Sequence, residues 1–180
     1  MTDNPRDGLT ALEALRGKLD ETSHLDVIHE GGYCWKAHFT FNDPARPESL
    51  EVLKRQLPML LPVNYERFLR QYDGALLYKD DEYGQWGFKL YGTMELISAN
   101  TDFKKRFKDN WPLAYLVFAE SLGDADRLIL DTAQPADKGK DCRVIDGDSG
   151  EPLTEWVAAA PSFGKWLDRL VVAQGAKYWR

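Results

Sequence analysis

The sequence predicts an α+β fold: one domain built on an antiparallel-rich mixed sheet flanked by helices. Three observations carry this. Apolar residues recur at helical spacing near both ends of the chain and across residues 50–72. Short apolar runs divided by turn residues fill the stretch from Gly74 to Val157. Helices and strands are thus segregated along the chain, which argues against a doubly wound sheet.

Leu9, Leu12, Leu15 and Leu19 predict a first amphipathic helix, with Gly17 a mild flaw in it. From His24 to Phe41, Tyr33, Trp35, Ala37, Phe39 and Phe41 alternate with polar residues after Gly31-Gly32, the pattern of a β-hairpin. Asn42–Pro47 reads as a loop, and Leu50, Leu53 and Leu57 as a short helix. Leu61, Tyr65, Phe68, Leu69 and Tyr72 give a helix over Pro62–Asp73, with proline in the first turn and Gly74 at the end. Strands follow at Ala75–Tyr78 and Trp86–Leu90. Thr93–Ile97 reads as a short turn or helical segment, and Asp102–Asn110 as a surface helix or ordered loop. Leu113–Ala119, Arg127–Asp131, Cys142–Ile145 and Leu153–Val157 are further strands, with Ala133–Asp141 a loop and Asp146–Gly150 a hairpin turn. Ser162 is a good N-cap for a closing helix whose stripe is Phe163, Trp166, Leu167, Leu170 and Val171. Residues 1–47 are expected to be an N-terminal helix and hairpin elaboration on a core of residues 48–180, without a linker between them.

Composition narrows the function classes. With 43% hydrophobic and 29% charged residues the chain is too apolar for disorder. Six Trp, eight Tyr and eight Phe supply a firm core and leave aromatics for a binding surface. A net charge of −6 disfavours nucleic acid and favours basic protein partners. Cys34 and Cys142 form neither a CxxC pair nor a disulfide framework. No apolar run approaches the roughly 18 residues of a membrane span, and the polar start lacks a secretory signal, so a cytoplasmic location with no membrane partner is expected.

The order of motifs resembles the SUKH superfamily of bacterial toxin-immunity proteins and fungal cell-wall-assembly regulators. The residues that carry it are Leu61-Pro62-Val63-Asn64-Tyr65-Glu66-Arg67-Phe68-Leu69 and Tyr72-Asp73-Gly74, then Tyr91-Gly92 with Glu95-Leu96. Phe118-Ala119-Glu120, Gly123-Asp124, Leu128–Asp131 and Ser162–Leu167 continue it, so that it covers about Glu48 to Val172. The resemblance implies a SUKH-like fold and a non-catalytic protein-binding role, above all neutralisation of a cognate toxin by direct binding. A regulatory or scaffold role of the cell-wall-regulator kind is the alternative, and a small metal- or ligand-binding enzyme a third.

Few residues suggest chemistry. His24, His29 and His38 lie in the N-terminal third without HxH or HExxH spacing, so no metal or cofactor is assigned. Asp146–Gly150 resembles a truncated calcium loop, but the twelfth position is Val157, not Glu, and a turn accounts for it. Cys34 with His38 or His29 is the minimum for thiolate chemistry, yet nothing supplies an oxyanion group. The partner-binding candidates are Asp80, Asp81, Glu82, Tyr83 and Trp86 in an exposed strand connection. Asp124 and Asp126 form a second group. The sequence does not fix the oligomeric state.

Overall fold

The computed structural model describes residues 8–28, 32–136, 141–148 and 150–180. Among these residues eight strands form a single sheet in which each pairs with its sequence neighbour: β1 (His24–Ile28), β2 (Cys34–Phe41), β3 (Ala75–Asp80), β4 (Phe88–Leu90), β5 (Tyr115–Ser121), β6 (Arg127–Ala136), β7 (Asp141–Gly147) and β8 (Val157–Ala160). Each of these pairings is antiparallel. Among the described residues five α-helices flank it: α1 (Leu9–Arg16), α2 (Pro47–Gln56), α3 (Val63–Gln71), α4 (Thr93–Phe107) and α5 (Phe163–Val172). This is the α+β architecture that the segregated periodicities predict.

The periodic stripes become the core. Tyr65, Phe68 and Leu69 of α3 and Phe163, Trp166 and Leu167 of α5 are all fully buried. Their rings interlock with the sheet: Phe118 of β5 meets Trp166 edge-on at 5.3 Å and Tyr65 at 5.4 Å. Such offset and edge-to-face pairs add about 0.5–1.5 kcal/mol each to the area they bury. The Tyr65 hydroxyl lies 2.7 Å from the Tyr91 carbonyl and 3.1 Å from that of Phe118, so its polar tip is satisfied inside the core. Burial pushes that phenol well above its ordinary value.

Local chemistry sets the ends of the two packed helices. Gly74 adopts φ 96°, and a Cβ there would stand 2.9 Å from the Gly92 nitrogen, so only glycine turns the chain from α3 into β3. At α5, Ser162 Oγ accepts from the Lys165 N–H at 3.2 Å. Asp141 completes that cap from β7. Its Oδ1 accepts from the Phe163 N–H (2.9 Å), and its Oδ2 from the Gly164 N–H (3.1 Å) and Asn64 Nδ2 (2.8 Å). A buried carboxylate thus neutralises the positive end of the closing helix and ties it to both α3 and the sheet.

Three elements differ from expectation. Thr93–Ile97 and Asp102–Asn110 are not separate pieces: α4 runs unbroken through the polar stretch between them. Asn100 explains this. Its Nδ2 donates to the Leu96 and Val117 carbonyls and its Oδ1 accepts from the Val117 N–H, so a poor helix former is held by β5. Ala133–Ala136, expected in a loop, belong instead to β6, which pairs Pro135 with Cys142 and Ala136 with Asp141 across a register shift; residues 137–140 of the expected loop lie outside the described residues. The last strand is Val157–Ala160, not Leu153–Val157; Leu153–Glu155 is a single 3-10 turn. Its run of alanines carries little strand propensity, and pairing with β7 decides it. Gly31 of the first hairpin and Ser149 of the Asp146–Gly150 turn lie outside the described residues.

Candidate functional site: the loop end around Trp86

Two loops that are distant in sequence meet at one end of the sheet. The connection between β3 and β4 holds Asp81–Gly87, and the turn between β5 and β6 holds Leu122–Asp126. The Leu122 N–H donates to the Gly87 carbonyl at 2.9 Å. Gly123 lies so close to the carbonyl of Gln85 that no side chain fits there. This contact brings the two candidate groups together: Trp86 and Asp124 line one groove of ≈ 750 Å³, with Trp35 and Phe88 on its walls. Tyr33, Trp35 and Trp86 also border a smaller cavity of ≈ 230 Å³ beside Asp81 and Glu82.

The candidate residues play different parts there. Asp80, expected on the surface, is only 5% exposed. Its Oδ1 accepts from the Glu82 N–H (2.9 Å) and the Tyr83 N–H (3.2 Å), so it caps the loop from within. Glu82 is exposed, Tyr83 is 62% exposed and Trp86 48% exposed. Asp81 is partly exposed. A hydrogen bond from Lys79, whose Nζ sits 2.6 Å from Oδ1, holds its carboxyl below its usual range.

Asp126, also expected to face a partner, is 2% exposed. The C-terminal tail explains why. Lys177 Nζ lies 2.8 Å from Asp126 Oδ2 and also bonds Asp124, while Arg180 Nη2 lies 2.8 Å from Asp126 Oδ2. Arg180 Nε and Trp179 Nε1 reach Asp146 Oδ2 at 2.8 and 2.6 Å. Asp148 sits 3.1 Å from Arg180. Burial raises the Asp124 carboxyl, but the Lys177 ammonium and the Asp126 N–H outweigh it and hold the group below its usual value.

Sequence reasoning missed Tyr33, Trp35 and the tail. The signal for the tail was present: Lys177-Tyr178-Trp179-Arg180 follows Gly175 as a basic, aromatic end to an acidic chain.

The arrangement offers little for catalysis. Cys34 and His38 stand four residues apart on β2, about 13 Å at strand rise, too far for a thiolate–imidazole pair. His29 lies outside the described residues. Burial pushes the Cys142 thiol up to about 12, so it stays protonated at neutral pH. For metal ligation, the described residues bring together His24, His38 and Asp81, whose ligating atoms lie within 4.8 Å of one another. Among the described residues no helix is long and apolar enough to cross a membrane.

Comparison with known proteins fits this architecture. The profile of the SMI1 / KNR4 family (SUKH-1) matches residues 44–169. The YnaB protein of Bacillus subtilis (strain 168), described as uncharacterized, is 23% identical over 143 residues, 79% of this chain and 88% of that protein. The motifs between Glu48 and Val172 that suggest the SUKH superfamily fall almost wholly within the matched span. With that span covering well over half of its length, the chain belongs to the SMI1 / KNR4 family (SUKH-1).

Proposed function

We propose that this protein is an immunity protein that binds a cognate toxin through the loop end around Trp86 and blocks it by occlusion. Family membership supports a non-catalytic, protein-binding, immunity-type domain in general. The observation that carries the finer reading is that exposed Trp86, with Trp35, borders two concavities at once: the ≈ 750 Å³ groove that Asp124 also lines, and the ≈ 230 Å³ cavity bordered by exposed Tyr33, Asp81 and Glu82. Large aromatics in a concave site are the side chains that most often dominate binding energy, and acids at the rim steer a basic partner. A toxin that attacks nucleic acid is basic where it grips its substrate, so an acidic cover is complementary to it. Action in the cytoplasm, where such toxins find nucleic acid, belongs to the same reading.

The test is co-expression with the C-terminal domain of a large toxin, if the neighbouring gene encodes one. The expected result is rescue of growth and a complex that survives gel filtration. A complex without rescue would favour a regulatory or scaffold role. The absence of both rescue and a complex would refute the reading.

A further inference from the structure

We propose that His24, His38 and Asp81 form a binding site for a divalent transition-metal ion, which clamps the outer hairpin to the β3–β4 loop. Antiparallel pairing of β1 with β2 sets His24 directly opposite His38, and their rings lie 4.8 Å apart. Pairing of His38 with Lys79 on β3 then carries Asp81, two residues on, over the same spot. His24 Nε2 lies 3.3 Å and His38 Nδ1 3.5 Å from the same oxygen, Asp81 Oδ2. Two ligands at about 2.0–2.1 Å on a tetrahedral ion stand roughly 3.3 Å apart, so these spacings are already those of a coordination shell.

The hydrogen bonds fix which atoms carry lone pairs. The Thr22 hydroxyl donates its one hydrogen to Asp20 Oδ1 at 2.8 Å. Its oxygen is 3.0 Å from His24 Nδ1, and with that hydrogen already committed it must accept from an Nδ1–H. With a neutral ring, His24 Nε2 then faces Asp81 Oδ2 as one acceptor facing another, and the hydrogen bond between them at 3.3 Å forms only with the imidazolium. His38 Nδ1, turned to the same oxygen, is shut off from solvent and makes no hydrogen bond among the described residues. Three acceptor-capable atoms converge on one point, and a cation there satisfies all of them.

The surroundings match a metal site as well. The Asp20–Thr22–His24 chain is the kind of outer-shell support that orients a ligating imidazole. Lys79 occupies Asp81 Oδ1, leaving Oδ2 as a single-oxygen ligand. Two imidazoles and one carboxylate select zinc, cobalt, nickel or copper over calcium or magnesium, which want oxygen ligands. The cavity bordered by His24 and Asp81 leaves room for water at a fourth position. The rings, inclined 21° to each other, need to tilt about χ2 to aim at one ion, and that torsion is soft.

The test is titration of chelator-stripped protein with Co²⁺, read by its visible absorption, followed by displacement with Zn²⁺. One saturating equivalent is expected. His24→Ala and His38→Ala should each weaken binding at least tenfold, Asp81→Asn similarly, and Thr22→Val by roughly tenfold through the lost outer-shell bond. Cys34→Ser and His29→Ala should leave it unchanged. Amide spectra of the wild-type protein give a reading independent of how the variants fold: Co²⁺ should perturb signals around residues 22–26, 36–40 and 79–83. Absence of saturable binding overturns the proposal. So does binding that survives the double variant H24A/H38A, or perturbation centred on another cluster such as Asp146–Asp148.

Discussion

The two acidic groups at the loop end differ in one respect that sequence does not display. Asp124, Asp126, Asp146 and Asp148 are all engaged by Lys177 and Arg180 of the protein's own tail. Glu82 stands exposed on the neighbouring loop beside Tyr83 and Trp86, and Asp81 is shared between Lys79 and the two histidines. The first group is therefore structural: Asp126 and Asp146 are buried and depend on their partners, and the more exposed Asp124 and Asp148 are held by the same two cations. The second carries negative charge that a partner can meet at little desolvation cost. A formal charge of −6 overstates what the groove offers, because its most acidic wall is already neutralised from within.

The largest effect is expected from removing Lys177–Arg180. Asp126 and Asp146 would stay buried without the tail's cations, and such breakage costs about 3–5 kcal/mol. Chemical denaturation of the truncated chain should show a loss of that order. A loss below about 1 kcal/mol would mean that the tail does not hold the acids in solution. Next is Asp126→Ala, expected to cost about 2–3 kcal/mol, at the lower end because Arg180 keeps partial access to water. Smaller again is Asp80→Ala. It removes an acceptor from two loop N–H groups, and about 1–2 kcal/mol is expected.

Asp81→Lys with Glu82→Lys should move stability by no more than about 1 kcal/mol, since Glu82 is exposed and the Asp81–Lys79 pair lies at the surface. Asp80 is deliberately left out of this pair, because its carboxylate holds the loop together. Acid titration tests the first group once more. Asp124 titrates below its unfolded value of about 3.9, so its pairing contributes stability above that pH and loses it as pH falls through the depressed folded value. Asp124→Asn should flatten the acid limb of the stability curve.

The fold was legible where one periodicity ran without interruption. The stripes Tyr65–Phe68–Leu69 and Phe163–Trp166–Leu167 mark faces that are buried, and their spacing alone shows it. It was illegible where a long-range bond overrode local preference, as Asn100 does in α4 and β7 does for the alanines of β8. The site was half legible. The composition of Asp80–Trp86 marks a loop with exposed aromatics. Nothing local distinguishes Asp80, which turns inward, from Asp81, which turns out. Convergence with Asp124 rests on Gly123 packing against Gln85, a contact between residues 38 positions apart. The histidine pair was missed for the same kind of reason: His24 and His38 are 14 residues apart, and only strand register makes them neighbours.

The central claim is that binding energy concentrates at the exposed aromatics while the loop acids govern approach. Association and dissociation with the cognate toxin should be followed across a salt series, in the presence of a chelator, for wild type, Trp86→Ala and the Asp81→Lys/Glu82→Lys pair. The account predicts that Trp86→Ala speeds dissociation by roughly thirtyfold or more, the equivalent of a 2 kcal/mol hot spot, with little change in on-rate. The charge-reversed pair should slow association at low salt and converge on wild type as screening shortens the reach of charge to about 8 Å near 0.15 M. Dissociation unchanged by Trp86→Ala, together with association indifferent to the charge reversal at low salt, would place the interface on another face of the molecule.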